Sequence, residues 1–415
     1  MLRIHPSAPS PAESLSSVPE VALVLELGRA LQEFGASAPT LESALTSLAQ
    51  HLGIEEAIYA TPTGFLASLR RPGHRGKTYL IRANTGESVL EKLAETEALV
   101  DQLMQDRIGV DAARTRLARL RERPPRFGPW VQVGAYAITS AGMADIVGGG
   151  WREMLLGAVI GLLVGMAVQL LARRRPGLAR LAPLAGGVLS SLGGALLVHV
   201  LPSASFPVLV LSGIIVLVPG LGLLVSMQEL GTGNLVAGTA RLAGSMLVFL
   251  LLAFGVGLGQ RLGGEWLAGV PVPPQPLPVW ARVPSLGLAG LGFLVIFQGL
   301  PRDYLWTLGA CVLAWSSAHL GTLLLGPVGG AGCSALILGA ACNQYGRRSR
   351  RPGATLLLPS LMMILPGSLE LHGLSLMLHG QTLEGLQGGF QAVAVTVALM
   401  LGLLLANALV RRRAF

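Results

Sequence analysis

The sequence predicts a mainly α-helical membrane protein. Ten transmembrane helices form two inverted five-helix repeats, and a small α+β cytoplasmic domain precedes them. Three observations carry this prediction. The 415 residues are 52% hydrophobic and only 13% charged, with 55 glycines and a mean hydropathy of +0.61, values that belong to a polytopic membrane protein. Most acidic side chains fall before residue 128, whereas almost everything after Trp130 is apolar with short polar breaks. The third is an internal duplication. Pro219-Gly220 and Pro366-Gly367 each interrupt an apolar span, and superposing them also lays Gly233-Asn234 on Gly380-Gln381 and Gly238 on Gly385. Two spans broken by Pro-Gly at equivalent points indicate a transporter's midplane binding site.

Residues 1–17 are rich in Pro and Ser and lack the apolar core of a secretory signal, so they read as a disordered leader. The cytoplasmic domain is assigned to 18–128. Val21 to Leu31 has helical apolar spacing that ends near Gly35 and resumes from Thr40 to Leu52, with Ser37 or Thr40 able to cap the second helix. Ile54 to Leu69 and Tyr79 to Ile81 are richer in β formers and are bounded by Pro62-Thr63-Gly64 and by residues 71–78, which predicts a small sheet. Ser88 to Met104 and Val110 to Leu120 return to helical spacing with many charges.

Ten spans follow, at roughly 131–150, 152–172, 180–201, 205–227, 235–260, 278–299, 303–320, 322–342, 354–378 and 386–410. They group into a first repeat over 129–262, an external loop over 263–277 and a second repeat over 278–415. The first span is the weakest, since Asp145 interrupts it and Gly148-Gly149-Gly150 ends it. Arginine clusters at 114–126, 173–180, 347–351 and 411–413 fall on one side of this arrangement. The positive-inside rule makes that side cytoplasmic, with both termini on it. The Pro-Gly spans are the fourth and the ninth, and an odd offset of five reverses direction through the membrane, so the halves are inverted.

Within such a span, Pro removes a backbone hydrogen bond and Gly lets the chain bend. N–H groups at the resulting half-helix start suit a carboxylate, although Pro and Gly in transmembrane helices also serve simply as kinks. Pro219, Gly220, Pro366 and Gly367 are therefore the candidate substrate-binding positions.

Gly28, Gly35, Leu52-Gly53, Thr61-Pro62-Thr63-Gly64 and Gly149-Gly150-Trp151-Arg152-Glu153 occur in an order and spacing that resembles the threonine/serine exporter family. The resemblance covers nearly the whole chain. The second half, with Leu365-Pro366-Gly367-Ser368 and Gly373-Leu374, looks like the smaller subunit that many bacteria encode separately. It implies a cytoplasmic N-terminal domain, ten spans and export of L-threonine and L-serine driven by the proton gradient, with succinate export in the split two-gene relatives. One departure is Ala38-Pro39-Thr40-Leu41-Glu42, where the family pattern has Ser or Thr followed by Arg-Val-Glu. Glu42 remains and the Arg is missing.

Ionisable residues inside hydrocarbon cost a few kcal/mol unless they face a cavity or a partner. Glu370, one turn after Pro366-Gly367, is the leading proton-coupling carboxylate, with His372 and His379 after it on what reads as an external loop face. Glu229 and Arg241 flank the loop after the first Pro-Gly span and suit a cytoplasmic gate, or equally an ordinary interfacial location. Asp145 suits coupling or a helix end. Asn234 and Gln381, as repeat-equivalent amides, line a substrate path or cap helices. His319, beside Ser316 and Ser317, reads as a packing residue, and Cys311, Cys333 and Cys342 read as small core residues.

No catalytic or metal site and no cofactor is expected. Gly76-Lys77-Thr78 looks like the end of a phosphate loop, but the Gly required five residues earlier is Arg71. HExxH, GxSxG and paired zinc-type cysteines and histidines are absent from the sequence. The net charge of +9 comes from short arginine clusters beside apolar spans, which speaks against nucleic acid. Without an ATP site, transport must run on an ion gradient or downhill. The sequence is thus read as a secondary transporter of the bacterial inner membrane that exports threonine and serine against protons. A succinate exporter of the same fold is the nearest alternative, and a membrane-anchored ligand sensor is the alternative from another class. The glycine-rich spans suit homo-oligomerisation or packing within one subunit.

Overall fold

A computed structural model describes residues 18–73, 75–83, 89–174, 177–264, 275–349, 353–365 and 382–410. The expected leader lies outside them, as do Pro366, Gly367, Glu370, His372, His379 and Gln381. Two compact units emerge, one formed by residues up to 88 together with 92–124, the other by 89–91 together with the chain from 125.

In the first unit α1 (Pro19–Glu33) and α2 (Ala38–His51) precede a three-stranded antiparallel sheet, β1 (Glu55–Thr61), β2 (Gly64–Arg70) and β3 (Lys77–Arg82), in the order β1-β2-β3. Two further helices, α3 (Leu90–Met104) and α4 (Val110–Glu122), complete the α+β domain. Thr61 pairs with Gly64, so Pro62 and Thr63 form a two-residue turn. Gly35 turns the chain between α1 and α2 with a φ of 92°, which glycine adopts without steric penalty. At Gly28 a Cβ would lie 2.6 Å from Phe65 Cζ and 2.7 Å from Leu45 Cδ1, so the missing side chain lets α1 rest on β2 and α2. The Gln32 amide of α1 donates to the carbonyls of Thr61 and Gly64, and Glu42 of α2 accepts from the Ala60 N–H at 2.7 Å. Paired ions Arg114–Glu26 and Arg121–Glu33, each bidentate, hold α4 on α1. Ser37 precedes α2 as expected, but its hydroxyl pairs with Thr40 at 2.9 Å instead of capping the helix.

The second unit contains α5 (Pro129–Ile146), α6 (Trp151–Arg174), α7 (Ala182–Val200), α8 (Phe206–Ile214), α9 (Gly220–Gly231), α10 (Leu235–Leu262), α11 (Arg282–Ile296), α12 (Tyr304–Ser349), α13 (Ala354–Leu361) and α14 (Thr382–Leu409). Among the described residues, six segments are long and apolar enough to cross a membrane, or seven when the bent pair α8 and α9 counts as one. The ten expected spans differ from this number for physical reasons. α5 carries Gln132 and Asp145 and buries much of its surface against other helices. The spans expected at 303–320 and 322–342 form one helical run interrupted at Gly326, which has a φ of 75° and precedes Pro327. Of the span expected at 354–378, only the part to Leu365 is described.

That run is a hairpin. Ser317 and Ser334 hydroxyls meet at 3.0 Å and Ser334 donates to Ala314 O at 2.8 Å, contacts that a straight helix would separate by about 25–30 Å. Gly321 and Gly330 let the two arms touch, since a Cβ at Gly321 would lie 2.8 Å from Gly330 Cα.

Helix boundaries recur at fixed offsets between the halves. α10 and α14 both run 28 residues, with α14 starting 147 positions after α10. α8 ends at Ile214 and α13 at Leu361, again 147 apart. α5 and α11 end at Ile146 and Ile296, 150 apart, in the same cap. Gly148 N–H donates to Asp145 O and Gly149 N–H to Ala144 O, while Gln298 N–H donates to Val295 O and Gly299 N–H to Leu294 O, two Schellman motifs. Both Gly148 (φ 97°) and Gln298 (φ 54°) are left-handed there.

α5 and α11 lie antiparallel, and their contact is symmetric. A Cβ at Gly142 would meet Ser285 O at 2.5 Å and Ala289 N at 2.7 Å; one at Gly292 would meet Ala135 O at 2.9 Å and overlap Thr139 Oγ1. Each of these three residue pairings, 142 with 292, 135 with 285 and 139 with 289, carries the same 150-residue offset, so the same surface is presented twice in opposite directions. Replacing Gly292 with Val should lower the thermal unfolding midpoint in detergent by the equivalent of about 1–3 kcal/mol. Gly134→Ala, at an open position on α5, should leave the midpoint within error, and a thermal-shift series on the two proteins tests the contrast.

Candidate substrate and coupling sites

The first Pro-Gly break is built as expected. α8 stops at Ile214, one 3-10 turn covers Ile215–Leu217, Val218 is extended, and Pro219 stands just before α9. The two helices meet at 54°. Pro219 cannot donate the hydrogen bond that would continue α8, and Gly220 opens the new helix against a neighbour. A Cβ at Gly220 would lie 3.1 Å from Leu365 Cδ1, the side chain directly before Pro366. The chain thus brings the first break against the approach to the second. Leu224, Leu361 and Leu365 share one apolar cluster, and Ile215 and Met363 share another. Ser245 of α10 faces the first turn of α9, where its hydroxyl occupies the space of a Cβ at Gly222. Ser245 was not singled out from the sequence because serines are common in apolar spans, and only the approach of α10 to Gly222 distinguishes this one.

Glu229 and Arg241 come together, with Nε–Oε2 at 2.9 Å and Nη2–Oε1 at 3.0 Å. Glu229 is fully buried. Both residues belong to the α9–α10 connection of one half, where Gly233 (φ 86°) makes the turn and Glu229 O also receives the Asn234 N–H at 2.8 Å. Asn234 sits immediately before α10, and its Oδ1 lies 3.3 Å from the Thr232 hydroxyl.

Asp145 is also fully buried, 2.9 Å from Arg282 at the start of α11. Arg282 escaped the sequence reading because it lies 137 residues away. Only the antiparallel packing of α5 and α11 makes them neighbours. Close by, the Glu153 carboxylate accepts from Gly150 N–H at 2.8 Å and Ser205 N–H at 2.9 Å, so the Gly149-Gly150-Trp151-Arg152-Glu153 motif ties the α5–α6 turn to the start of α8. At the opposite end of the α5–α11 pair, the Gln298 amide accepts from Phe127 N–H at 2.8 Å and donates to Phe127 O at 3.1 Å. Leu90 and Glu91 N–H groups donate to the Phe297 and Gln298 carbonyls just after α11, and Glu91 binds Arg126 through both oxygens.

His319 stacks on Trp315 with ring centroids 5.2 Å apart, a packing role. Cys311 and Cys342 are buried and all three cysteines are unbridged. Among the described residues no group of three His, Cys, Asp or Glu side chains could hold a metal.

Residues 22–263 match the family model "Putative threonine/serine exporter", more than half of the chain, and residues 286–409 match "Threonine/Serine exporter, ThrE". An uncharacterised protein of Schizosaccharomyces pombe is 26% identical over 358 residues, 82% of this chain and 46% of its own length. A "Probable threonine/serine exporter" of Mycobacterium tuberculosis is 28% identical over 267 residues, 61% of this chain and 48% of its own. "Pheromone-regulated membrane protein 10" of Candida albicans is 28% identical over 255 residues, 59% of this chain and 22% of its own. The chain therefore spans less than half the length of these relatives. No solved structure matches it. The resemblance carried by Thr61-Pro62-Thr63-Gly64 and Gly149-Gly150-Trp151-Arg152-Glu153 is borne out across both halves, and the chain is a membrane protein of the threonine/serine exporter family.

Proposed function

We propose that the chain is a secondary active transporter that exports L-threonine and L-serine across the bacterial inner membrane in exchange for protons. The observation that carries the reading is the apposition of Gly220 with Leu365, which sets the first Pro-Gly break against the residue that precedes Pro366 in the sequence. The substrate carboxylate binds N–H groups at the half-helix starts after Pro219-Gly220 and Pro366-Gly367, with Asn234 and Gln381 along the path. Inverted repeats over 129–262 and 278–415 receive support from the shared 147-residue offset of α10 and α14 and from the symmetric antiparallel seam of α5 and α11. The reading keeps ten spans, with α8 and α9 counted as one, the α12 hairpin as two, and the ninth placed at 354–378 from the sequence. Residues 18–128 and both termini then lie in the cytoplasm, with 263–277 outside. Exposed Trp130 and Trp306 fall on the inner level and exposed Trp151 and Trp280 on the outer one, as interfacial belts require.

Proton coupling falls to the carboxylates Glu370, Glu229 and Asp145, with Arg241 holding Glu229. A dicarboxylate substrate would need a further buried cation. Arg241 and Arg282 are both already paired with carboxylates, which favours the amino-acid reading.

Counterflow of labelled threonine, serine and succinate in proteoliposomes tests this function. Threonine and serine movement should accelerate under a pH gradient, and Glu370→Gln should uncouple it; flux of succinate alone would replace the reading with the dicarboxylate carrier, and absence of all flux with the sensor. The Glu229–Arg241 pair has its own test. Arg241→Met should strip a buried carboxylate of its partner and destabilise the protein by about 3 kcal/mol. Adding Glu229→Leu should recover most of that loss, a coupling that a double-mutant cycle by thermal unfolding measures.

A further inference from the structure

The symmetry of the α5–α11 pair fails at its two ends, and the failure has a chemical direction. The centre repeats itself through Gly142 and Gly292. At the end formed by Phe127 and Gln298, the helices are joined by amide and backbone hydrogen bonds that do not titrate. At the other end they are joined by Asp145 and Arg282; the residues 150 positions from these, Val295 and Gln132, form no such pair, and Gln132 instead accepts from Gln169. An ion pair thus closes one end of the seam, whereas the direct contact at the other end is made by uncharged groups, with the Glu91–Arg126 ion pair beside it.

We propose that the Asp145–Arg282 pair is the proton-released outer lock of the transporter, opening while the Gln298–Phe127 clamp serves as the hinge. The proposal rests on the exporter reading for its topology, which puts the turn after α5 and the start of α11 on the external side. Ionised Asp145 holds Arg282 and keeps the outer ends of α5 and α11 together. A proton arriving from outside goes on to the Asp145 carboxylate, the attraction is lost, and the outer ends part; re-forming the pair expels that proton. The lock is therefore closed while Asp145 is ionised and open once it is protonated. Of the elements packed against α5, α6 contributes Arg152, stacked on Trp151 at 5.5 Å, and Glu153, whose two oxygens are taken by Gly150 and Ser205 N–H groups. α8 and the 3-10 turn at Ile215–Leu217 contribute no ionisable side chain, and α11 contributes Arg282 alone.

The symmetry supplies an internal control. Ser285 is buried in the seam on the Arg282 side, and Ala135, its counterpart 150 residues earlier, is buried on the Phe127 side. Ser285→Cys and Ala135→Cys are made separately in full-length protein with Cys311, Cys333 and Cys342 replaced by Ala, reconstituted in nanodiscs and treated with a maleimide. The ratio of the rate at 285 to that at 135 cancels the reagent's own pH dependence. We expect this ratio to rise by about ten-fold or more between pH 8 and pH 5, as a two-state opening requires, and to be high at both pH values with Asp145→Asn. Exchange of the charges, Asp145→Arg with Arg282→Asp, should restore protection at pH 8. A ratio that does not change with pH overturns the lock, and this arm needs no change at Asp145. Because labelling involves no amino acid, a failed flux assay with an intact pH-dependent ratio would overturn the substrate assignment and leave the lock standing.

Discussion

Everything in the membrane unit depends on how closely α5 and α11 approach. Two helices in an apolar solvent gain little from burying apolar surface, because lipid tails are as apolar as leucine. What holds them is contact at short range, which only small residues permit. Gly142 and Gly292 supply it twice, each accepting the backbone of the opposite helix. The same requirement recurs where Gly187 meets Leu252 and Gly255, and where Gly402 meets Gly332. The 55 glycines are thus less a sign of flexibility than the means by which helices become neighbours.

Backbone satisfaction is the second constraint. Helix ends inside or near a bilayer expose orphan N–H and C=O groups that water cannot reach. α5 and α11 resolve this with matching Schellman caps, and Gln298 accepts a left-handed conformation that ordinarily costs about 1 kcal/mol. Its amide is repaid by two bonds to Phe127. Glu153 does the equivalent work at the opposite level, closing two orphan N–H groups with one carboxylate.

The legible parts of the fold were those set by local chemistry. Pro219-Gly220 announced the broken helix, Pro62-Thr63 announced the hairpin turn, and apolar periodicity located the helices of the first unit. The 147-residue offset was visible around the Pro-Gly breaks because proline and glycine have few substitutes there. The 150-residue offset of the first helices was not, since α5 and α11 share small residues and cap geometry more than side-chain identity. Asp145 and Glu229 were recognisable as isolated carboxylates in apolar surroundings. Their settings differed in legibility: Arg241 lies three turns from Glu229 along the chain, whereas Arg282 becomes a neighbour of Asp145 only through the crossing of two halves. The break at Gly326 was placed five residues early, at Gly321, because both Gly321 and Gly326 interrupt the apolar run.

The α12 hairpin also bears on how the protein is made. From Tyr304 to Gly346 the chain contains no Asp, Glu, Lys or Arg, and its two arms are joined by little more than Gly326-Pro327. Such a tip offers the insertion machinery no charge to retain on either face and too little polar chain to wait in the aqueous phase while one arm enters. The arms therefore suit entry into the bilayer as one unit, since the Ser317 and Ser334 hydroxyls satisfy each other within the pair. Their orientation is then dictated from outside the hairpin, by Arg302 on one flank and Arg347 and Arg348 on the other.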